Sequence, residues 1–307
     1  MLEPSKTWFV IINPTSGNGK SKKKWPKIER LLELYHFDFK YAFTEYSKHS
    51  VVLVQKAISN GFTNIICVGG DGTIHNIVNG ILSQSMVPSN TINVAMIPIG
   101  TGNDWVKTHR IPMDIETAIT TIVKGNSAQQ DVGKIEFENP KKPPVYFNNL
   151  AGVGFDGHVV SKVHKYKYLG TIAYLCGAII GLFTFKNFSS NVHVNSTAYS
   201  GKTLMVLVGL CTYSGGGMKL TKGPNPNDGF FDISIAKDFS KLEVLKNLGK
   251  LFNGTIVNHK KVVCLKANSL EILINQTQCP FIQTDGELIG TGNIKISLIP
   301  KAFSFYC

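Results

Sequence analysis

The sequence predicts an α/β domain built on a parallel sheet, followed by a β-rich second domain. Three observations carry this reading. Short apolar runs alternate with helix-spaced segments up to about residue 130, nearly every later segment has strand character, and two Gly-rich turns directly follow strands in the first half. Strands that alternate with helices need crossover connections, which produce a parallel sheet covered on both faces. Loops at the carboxyl ends of such strands form the ligand crevice.

Taken in order, Thr7–Ile12 is a continuous apolar run closed by Asn13-Pro14, and Trp25–Tyr35 sets Ile28, Leu31, Leu32 and Tyr35 at helical spacing. The alternation continues with a strand at Phe39–Phe43, a helix at Val51–Ser59, a strand at Asn64–Val68, a helix at Ile74–Leu82 and a strand at Val94–Ile97. Beyond Asp131 the expected strands are Val145–Leu150, Val192–Ala198, Thr203–Leu210, Phe230–Ile235, Val262–Leu265 and Leu270–Ile274. Helices are expected there only at about 169–183 and at Leu242–Phe252, and the Pro-rich Asn139–Pro144 reads as a hairpin loop. The domains are therefore 1–130 and from 131 onward.

At 307 residues, two domains of ordinary size are the natural expectation. Hydrophobic residues at 43% and charged residues at 17% exclude a disordered chain. Lys and Arg outnumber Asp and Glu by 32 to 20, a net charge of +12, which favours nucleotides, nucleic acid or an acidic membrane face. No nucleic acid is expected, because the basic residues are not interleaved with stacking aromatics. The six cysteines form no C-x-x-C pair and Met1–Ser5 lacks a signal layout, so reduced thiols in a cytoplasmic protein are expected. Tyr168–Phe185 is a run of 18 uncharged residues, at the short end of the roughly 17–25 needed to span a bilayer. With Gly170, Gly177 and Gly181 in it, it reads as a buried or lipid-facing helix, not a transmembrane span.

The chemistry concentrates at strand ends. Gly69-Gly70-Asp71-Gly72-Thr73 joins a strand to a helix: the glycines let backbone approach a phosphate, the helix start offers unpaired N–H groups, and Asp71 can reach a phosphate-bound Mg²⁺. A second such turn, Gly100-Thr101-Gly102-Asn103-Asp104, follows the next strand, and Asn13-Pro14-Thr15-Ser16-Gly17-Asn18-Gly19-Lys20 ends the first. Neither a Walker A loop nor a G-x-G-x-x-G fingerprint is present. The histidines form no metal-ligand pattern, and His75 is the one closest to the phosphate turn.

Nearly the whole chain resembles the diacylglycerol kinase catalytic domain family, which includes bacterial lipid kinases and is similar in fold to sphingosine kinases and NAD kinases. The resemblance rests on Asn13–Gly17, on Gly69–Thr73 with Val78-Asn79-Gly80, and on Gly100–Asp104. In the second half it rests on Gly152–Asp156, Ser214–Met218, Pro226–Asp232 and Asp285-Gly286-Glu287. It implies a β-rich, sandwich-like second domain over 131–295, with 296–307 returning to the first domain and the active site in the cleft. The first motifs are shared with NAD kinases, which makes NAD kinase the alternative activity and a non-catalytic lipid-binding relative a further one. Asp228-Gly229 and Asp285-Gly286-Glu287 favour the lipid branch.

By this resemblance the protein transfers the γ-phosphate of ATP to a lipid hydroxyl, with diacylglycerol the expected acceptor and phosphatidic acid the product. ATP would be held by Asn13, Pro14, Thr15, Ser16, Gly17, Thr44, Gly69, Gly70, Asp71, Gly72, Thr73, Asn76, Gly100, Thr101, Gly102 and Asn103. Glu287 matches the general base, with Asp71 as a second catalytic residue. A structural Mg²⁺ would use Asp228 and the carbonyls of Asn225 and Phe230, linked to Asp131. Two departures stand out: Asn76 occupies a place usually held by Glu, and the lysine that often follows Asn-Pro-x-Ser-Gly is displaced to Lys20. The expected partner is a lipid at an anionic membrane surface, contacted through the 169–183 helix and Lys165 and Lys167, with peripheral membrane association. The sequence leaves the oligomeric state open and allows a homodimer.

Overall fold

The computed structural model describes residues 6–163, 181–275 and 278–307. It divides into two compact units, residues 6–130 with Lys301–Cys307, and Asp131–Pro300. The expected helix at 169–183 lies outside the described residues except for 181–183, which with 184 are helical, and Lys165, Lys167 and Cys176 lie outside them altogether. Among the described residues no helix is long and apolar enough to cross a membrane.

In the first unit the chain runs β1 (Thr7–Ile12), α1 (Lys20–Leu34), β2 (Asp38–Phe43), α2 (His49–Ser59), β3 (Asn64–Gly69), α3 (Asp71–Leu82), β4 (Asn93–Pro98), α4 (Asp104–Thr108) and α5 (Ile115–Lys124). Strand β1 pairs in parallel with both β2 and β3, and β3 pairs in parallel with β4. Ser304 and Phe305 extend the sheet beyond β4, also in parallel. One sheet face, with Val10, Ile12, Ile66, Val68, Ala95 and Ile97, packs on Trp25, Ile28 and Leu32 of α1 and on Ile115, Ile119 and Ile122 of α5. The order β2-β1-β3-β4 reverses direction between β1 and β3, and in a doubly wound sheet such a switch point opens the ligand crevice.

Helix α1 starts five residues before the expected Trp25, so Lys20, Lys22, Lys23 and Lys24 are helical rather than loop. Apolar spacing could not register a first turn made of cations.

In the second unit the elements are β5 (Ser127–Phe137, which begins in the first unit), β6 (Val145–Phe147), β7 (Leu150–Gly154), α6 (Phe155–Val163), β8 (Phe188–Val194), β9 (Thr197–Gly209) and β10 (Phe231–Lys237). There follow α7 (Lys241–Asn253), β11 (Val262–Ala267), β12 (Ser269–Ile274), β13 (Ile282–Thr284), β14 (Glu287–Gly290) and β15 (Ile294–Tyr306). Antiparallel pairs join β13 to β7 and β14, β9 to β7, β8 and β10, and β12 to β8 and β15. The core is built from Phe147, Val192, Val206, Phe231, Ile272, Ile282 and Ile296, among others.

Two expected strands are divided. Asn195 adopts the left-handed conformation at φ 53° and turns the chain between β8 and β9, where Val192–Ala198 reads as one run; Asn tolerates this backbone better than β-branched neighbours do. Val145–Leu150 breaks at Asn148-Asn149, whose N–H groups are drawn to Asp285.

Candidate functional site

Helices that follow parallel strands start at the strands' carboxyl ends. Here α1, α2 and α3 all start without a side-chain cap, on Gly19, Lys48 and Gly70. By contrast Asp114 caps α5, and Ser240 and Glu243 form a capping box on α7. Uncapped starts leave N–H donors and a partial positive charge facing outward. The lysines of the first turns of α1 add to that charge where the helix dipole disfavours cations, an arrangement that a bound polyanion compensates.

The switch point joins these starts. Asn13, just past β1, donates from its backbone N–H to Val68 O at 3.0 Å, and its side-chain Nδ2 donates to Thr73 Oγ1 on α3 at 3.1 Å. Thr15 Oγ1 donates back to Asn13 Oδ1 at 2.8 Å, and Ser16 Oγ lies 3.5 Å from Thr73 Oγ1. Thr44 N–H donates to Ile12 O at 2.8 Å, which sets the end of β2 beside the same strand end. Thus Asn13, Thr15, Ser16, Thr44 and Thr73 are gathered around one strand pair.

The two Gly-rich turns meet backbone to backbone. A Cβ added at Gly100 would stand 2.9 Å from Gly70 Cα, and one added at Gly70 would stand 3.1 Å from Gly100 Cα. Ile99 N–H donates to Gly69 O at 2.6 Å, closing the approach. Asp71 bridges the two turns. Its Oδ1 accepts the Trp105 N–H at 3.1 Å, so the carboxylate of one turn caps the helix start of the other. Asn103 is 1% exposed at φ 52°, and its Nδ2 donates to Gly100 O at 3.2 Å. Asn76 is half-buried on α3, Thr101 is exposed, and His75 is buried within 3.4 Å of Asn79 Nδ2.

Sequence reasoning overlooked a neighbouring set. Gln130 Oε1 accepts Trp105 Nε1–H at 2.7 Å and lies 3.1 Å from His109 Nε2. His109 also packs at a tilt against Trp105 and Phe305, and burial there lowers its pKa to about 4, against a smaller opposing effect of the Gln130 contact. A neutral ring results, and it serves packing of α4.

In the second unit Asp285 and Gly286 both have positive φ, 49° and 84°, and Thr284 faces Glu287 across the β13–β14 hairpin. This is the two-residue turn that Asp-Gly favours. Asp285 also anchors the hairpin: its carboxylate accepts the N–H groups of Asn148, Asn149 and Leu150 at 3.0, 3.0 and 2.9 Å. Gln283 is held at both ends, its Nε2 donating to Asp156 and its Oε1 accepting Gly286 N–H at 2.8 Å. Glu287 is half-buried, and its side chain makes no hydrogen bond or ion pair among the described residues. A carboxylate so placed on a fixed turn is available to take a proton.

Asp156 also lines a cavity open to solvent, whose other walls include Phe155, Leu204, Leu220, Ala236 and Leu248. Among the described residues its only charged lining residue is Asp156. Apolar walls with few polar groups are what a hydrocarbon ligand requires.

The residues expected at a structural metal are also brought together. Asp131, 1% exposed, accepts Gly229 N–H at 2.8 Å and donates its own N–H to Pro226 O at 2.8 Å. Asp228 Oδ1 accepts Phe230 N–H at 3.0 Å, while its Oδ2 takes Lys266 Nζ at 2.9 Å; the same ammonium lies 3.4 Å from Asp232 Oδ2. Burial raises the Asp232 pKa, opposed by Lys266. Among the described residues no group of three or more His, Cys, Asp and Glu stands together. As it stands, Lys266 supplies positive charge to both carboxylates, beside the Asp228 where the resemblance implies Mg²⁺.

Replacing Lys266 with Met is therefore expected to destabilise the second unit by about 1–3 kcal/mol, since Asp228 and Asp232 lose their cation. Thermal unfolding without nucleotide checks this. The parent protein's midpoint should not respond to millimolar Mg²⁺, whereas the variant's should be partly restored by it; a Mg²⁺-dependent midpoint in the parent would contradict the assignment.

Comparison with known proteins adds the following. A family model described as the diacylglycerol kinase catalytic domain matches residues 7–135, and one described as the YegS C-terminal NAD kinase beta sandwich-like domain matches 149–307, more than half the chain. The chain is 28% identical over 283 residues to the diacylglycerol kinase of Staphylococcus carnosus, covering 92% of this chain and 88% of that one. It is 27% identical over 286 residues to the diacylglycerol kinase of Bacillus subtilis, covering 92% and 89%. A crystal structure of a diacylglycerol kinase from Bacillus anthracis shares the fold with a TM-score of 0.74 at 24% identity, covering 100% of this chain and 98% of that one. A second B. anthracis structure, of a candidate diacylglycerol kinase, gives 0.80 at 25% identity, covering 99% and 95%.

Proposed function

Because the chain belongs to the diacylglycerol kinase family and is a lipid kinase using ATP, we propose that its acceptor is diacylglycerol and its products are phosphatidic acid and ADP. The observation that carries this choice is the apolar cavity whose one charged wall among the described residues is Asp156. Two hydrogen bonds lead from Asp156 through Gln283 to Gly286, the residue before Glu287. A lipid whose acyl chain fills the cavity and whose head group emerges at Asp156 thus presents its hydroxyl along the hairpin that carries Glu287. A nicotinamide dinucleotide, with its charged diphosphate, has no use for such walls.

In this reading Glu287 takes the proton of the primary hydroxyl as its oxygen attacks the γ-phosphorus, and the bond from that phosphorus to the bridging oxygen of ADP breaks. The uncapped starts of α1 and α3, Lys20 and the paired Gly-rich turns hold the phosphates of ATP, with Asn13, Thr15, Ser16 and Thr73 fixing their shape. Asp71 acts by holding the second turn in place. Mg²⁺ enters with the nucleotide, as the usual counter-charge of its phosphates.

The test is incubation with γ-labelled ATP, Mg²⁺ and a panel of lipid alcohols in mixed micelles, with NAD in parallel. Label is expected in phosphatidic acid. Label in a phosphorylated sphingoid base or ceramide alone would correct the acceptor, and label in NADP alone would overturn the lipid reading.

A further inference from the structure

Helix α7 has an apolar face wider than the cavity covers. Its inner residues Val244, Leu248 and Leu251 line the cavity, yet the only buried residue of the helix is Asn247. Beside that face Leu242 is 68% exposed, Leu245 36% and Phe252, which also lines the cavity, 46%. At 100° per residue Leu242, Leu245, Gly249 and Phe252 fall in one stripe, and Lys241, Lys246 and Lys250 flank it. Phe183, 64% exposed, adjoins the helix start, where Lys241 Nζ donates to its carbonyl at 2.8 Å. The helix contains one acid, Glu243, and hydrogen bonds from Lys261 and from Ser240 hold its carboxyl down at about 2. Its ion pair with Lys261 at 2.7 Å leaves the flanking lysines unopposed on this helix.

We propose that the outer stripe of α7 lies in the interface of an anionic bilayer, so that the wall of the lipid cavity is itself the membrane-docking element. An exposed apolar stripe bordered by lysines, Lys246 and Lys250 on one edge and Lys241 on the other, is the pattern of a helix lying in the head-group plane, with side chains among the acyl chains and ammonium groups at the phosphates. Its strong caps, the Ser240–Glu243 box and Gly254 at φ 79°, keep the helix formed without help from the exposed face. The cavity's occupant is a bilayer lipid under the reading above, on which this proposal rests for its purpose but not for its test.

The test uses the full chain and sedimentation with vesicles of phosphatidylglycerol and phosphatidylcholine. Leu242 and Leu245 line no part of the cavity, so Leu242→Ser with Leu245→Ser should keep the fold, by circular dichroism, and the rate on short-chain diacylglycerol dispersed in detergent. Partitioning onto phosphatidylglycerol vesicles is expected to fall at least tenfold. In a separate variant, Lys246→Glu with Lys250→Glu should lose a factor of about five per charge or more and most of the salt dependence. Vesicle binding equal to the parent in both variants would overturn the proposal, even if diacylglycerol is phosphorylated. Loss of binding supports it even if no lipid is. A parent dimer converted to monomer by the serine variant, with vesicle binding unchanged, would assign the stripe to a second copy of the chain and equally overturn it.

Discussion

Replacing Glu287 with Gln is expected to lower kcat for lipid phosphorylation by two to four orders of magnitude, about 3–5 kcal/mol of transition-state stabilisation. A lipid hydroxyl is a weak nucleophile, and the amide that replaces the carboxylate keeps its shape but cannot accept the proton. The same substitution should leave folding and ATP affinity unchanged. Glu287 is half-buried at the start of β14 and holds no other group among the described residues, so nothing structural depends on its charge. Initial-rate kinetics with thermal unfolding alongside make the check. A parent-like kcat would remove Glu287 as the base, and a large loss of stability would recast it as structural.

The neighbouring Asp285 should behave in the opposite way, with stability lost first and activity as a consequence. Asp285→Ala leaves three backbone N–H groups, those of Asn148, Asn149 and Leu150, without their acceptor. It also places alanine at φ 49°, a conformation it adopts poorly. Charge-assisted bonds of this kind are worth about 1.5–3 kcal/mol each and are not additive, so a loss of roughly 3–6 kcal/mol is expected. Asp285→Asn keeps one oxygen and tolerates the left-handed backbone, and should lose about half as much. Denaturant unfolding distinguishes them. An alanine variant as stable as the parent would show that the hairpin is held by its β7 pairing alone. Activity should fall in both, because Glu287 rides on the turn that Asp285 anchors.

These two residues illustrate how much of the site is legible in the sequence. Asp-Gly announces a tight turn in any sequence, because both central positions of that turn need positive φ, so the hairpin can be anticipated locally. What Asp285 binds cannot, since its partners lie 135–137 positions away. Asp71 likewise reads locally as a direct contact of the nucleotide's metal; the bond it makes to Trp105 depends on β3 and β4 lying side by side, which no local pattern reveals. Lys20, Lys22, Lys23 and Lys24 lie before the first helix-spaced apolar residues, and only the fold makes them the opening turns of a helix.

The sequence by itself determined the alternation of strands and helices, the parallel sheet that follows from it, and the glycines at strand ends. Those properties come from side-chain periodicity and backbone sterics, which act over a few residues. Only the tertiary structure decided that the sheet reverses between β1 and β3, that Gly70 and Gly100 touch, that Lys266 neutralises Asp228 and Asp232, and that α7 leaves part of its apolar face exposed. Each of these is a pairing between distant segments or a choice of which face is covered. Such choices are fixed by the joint packing of the whole unit, because one amphipathic pattern is compatible with several neighbours and only assembly selects among them.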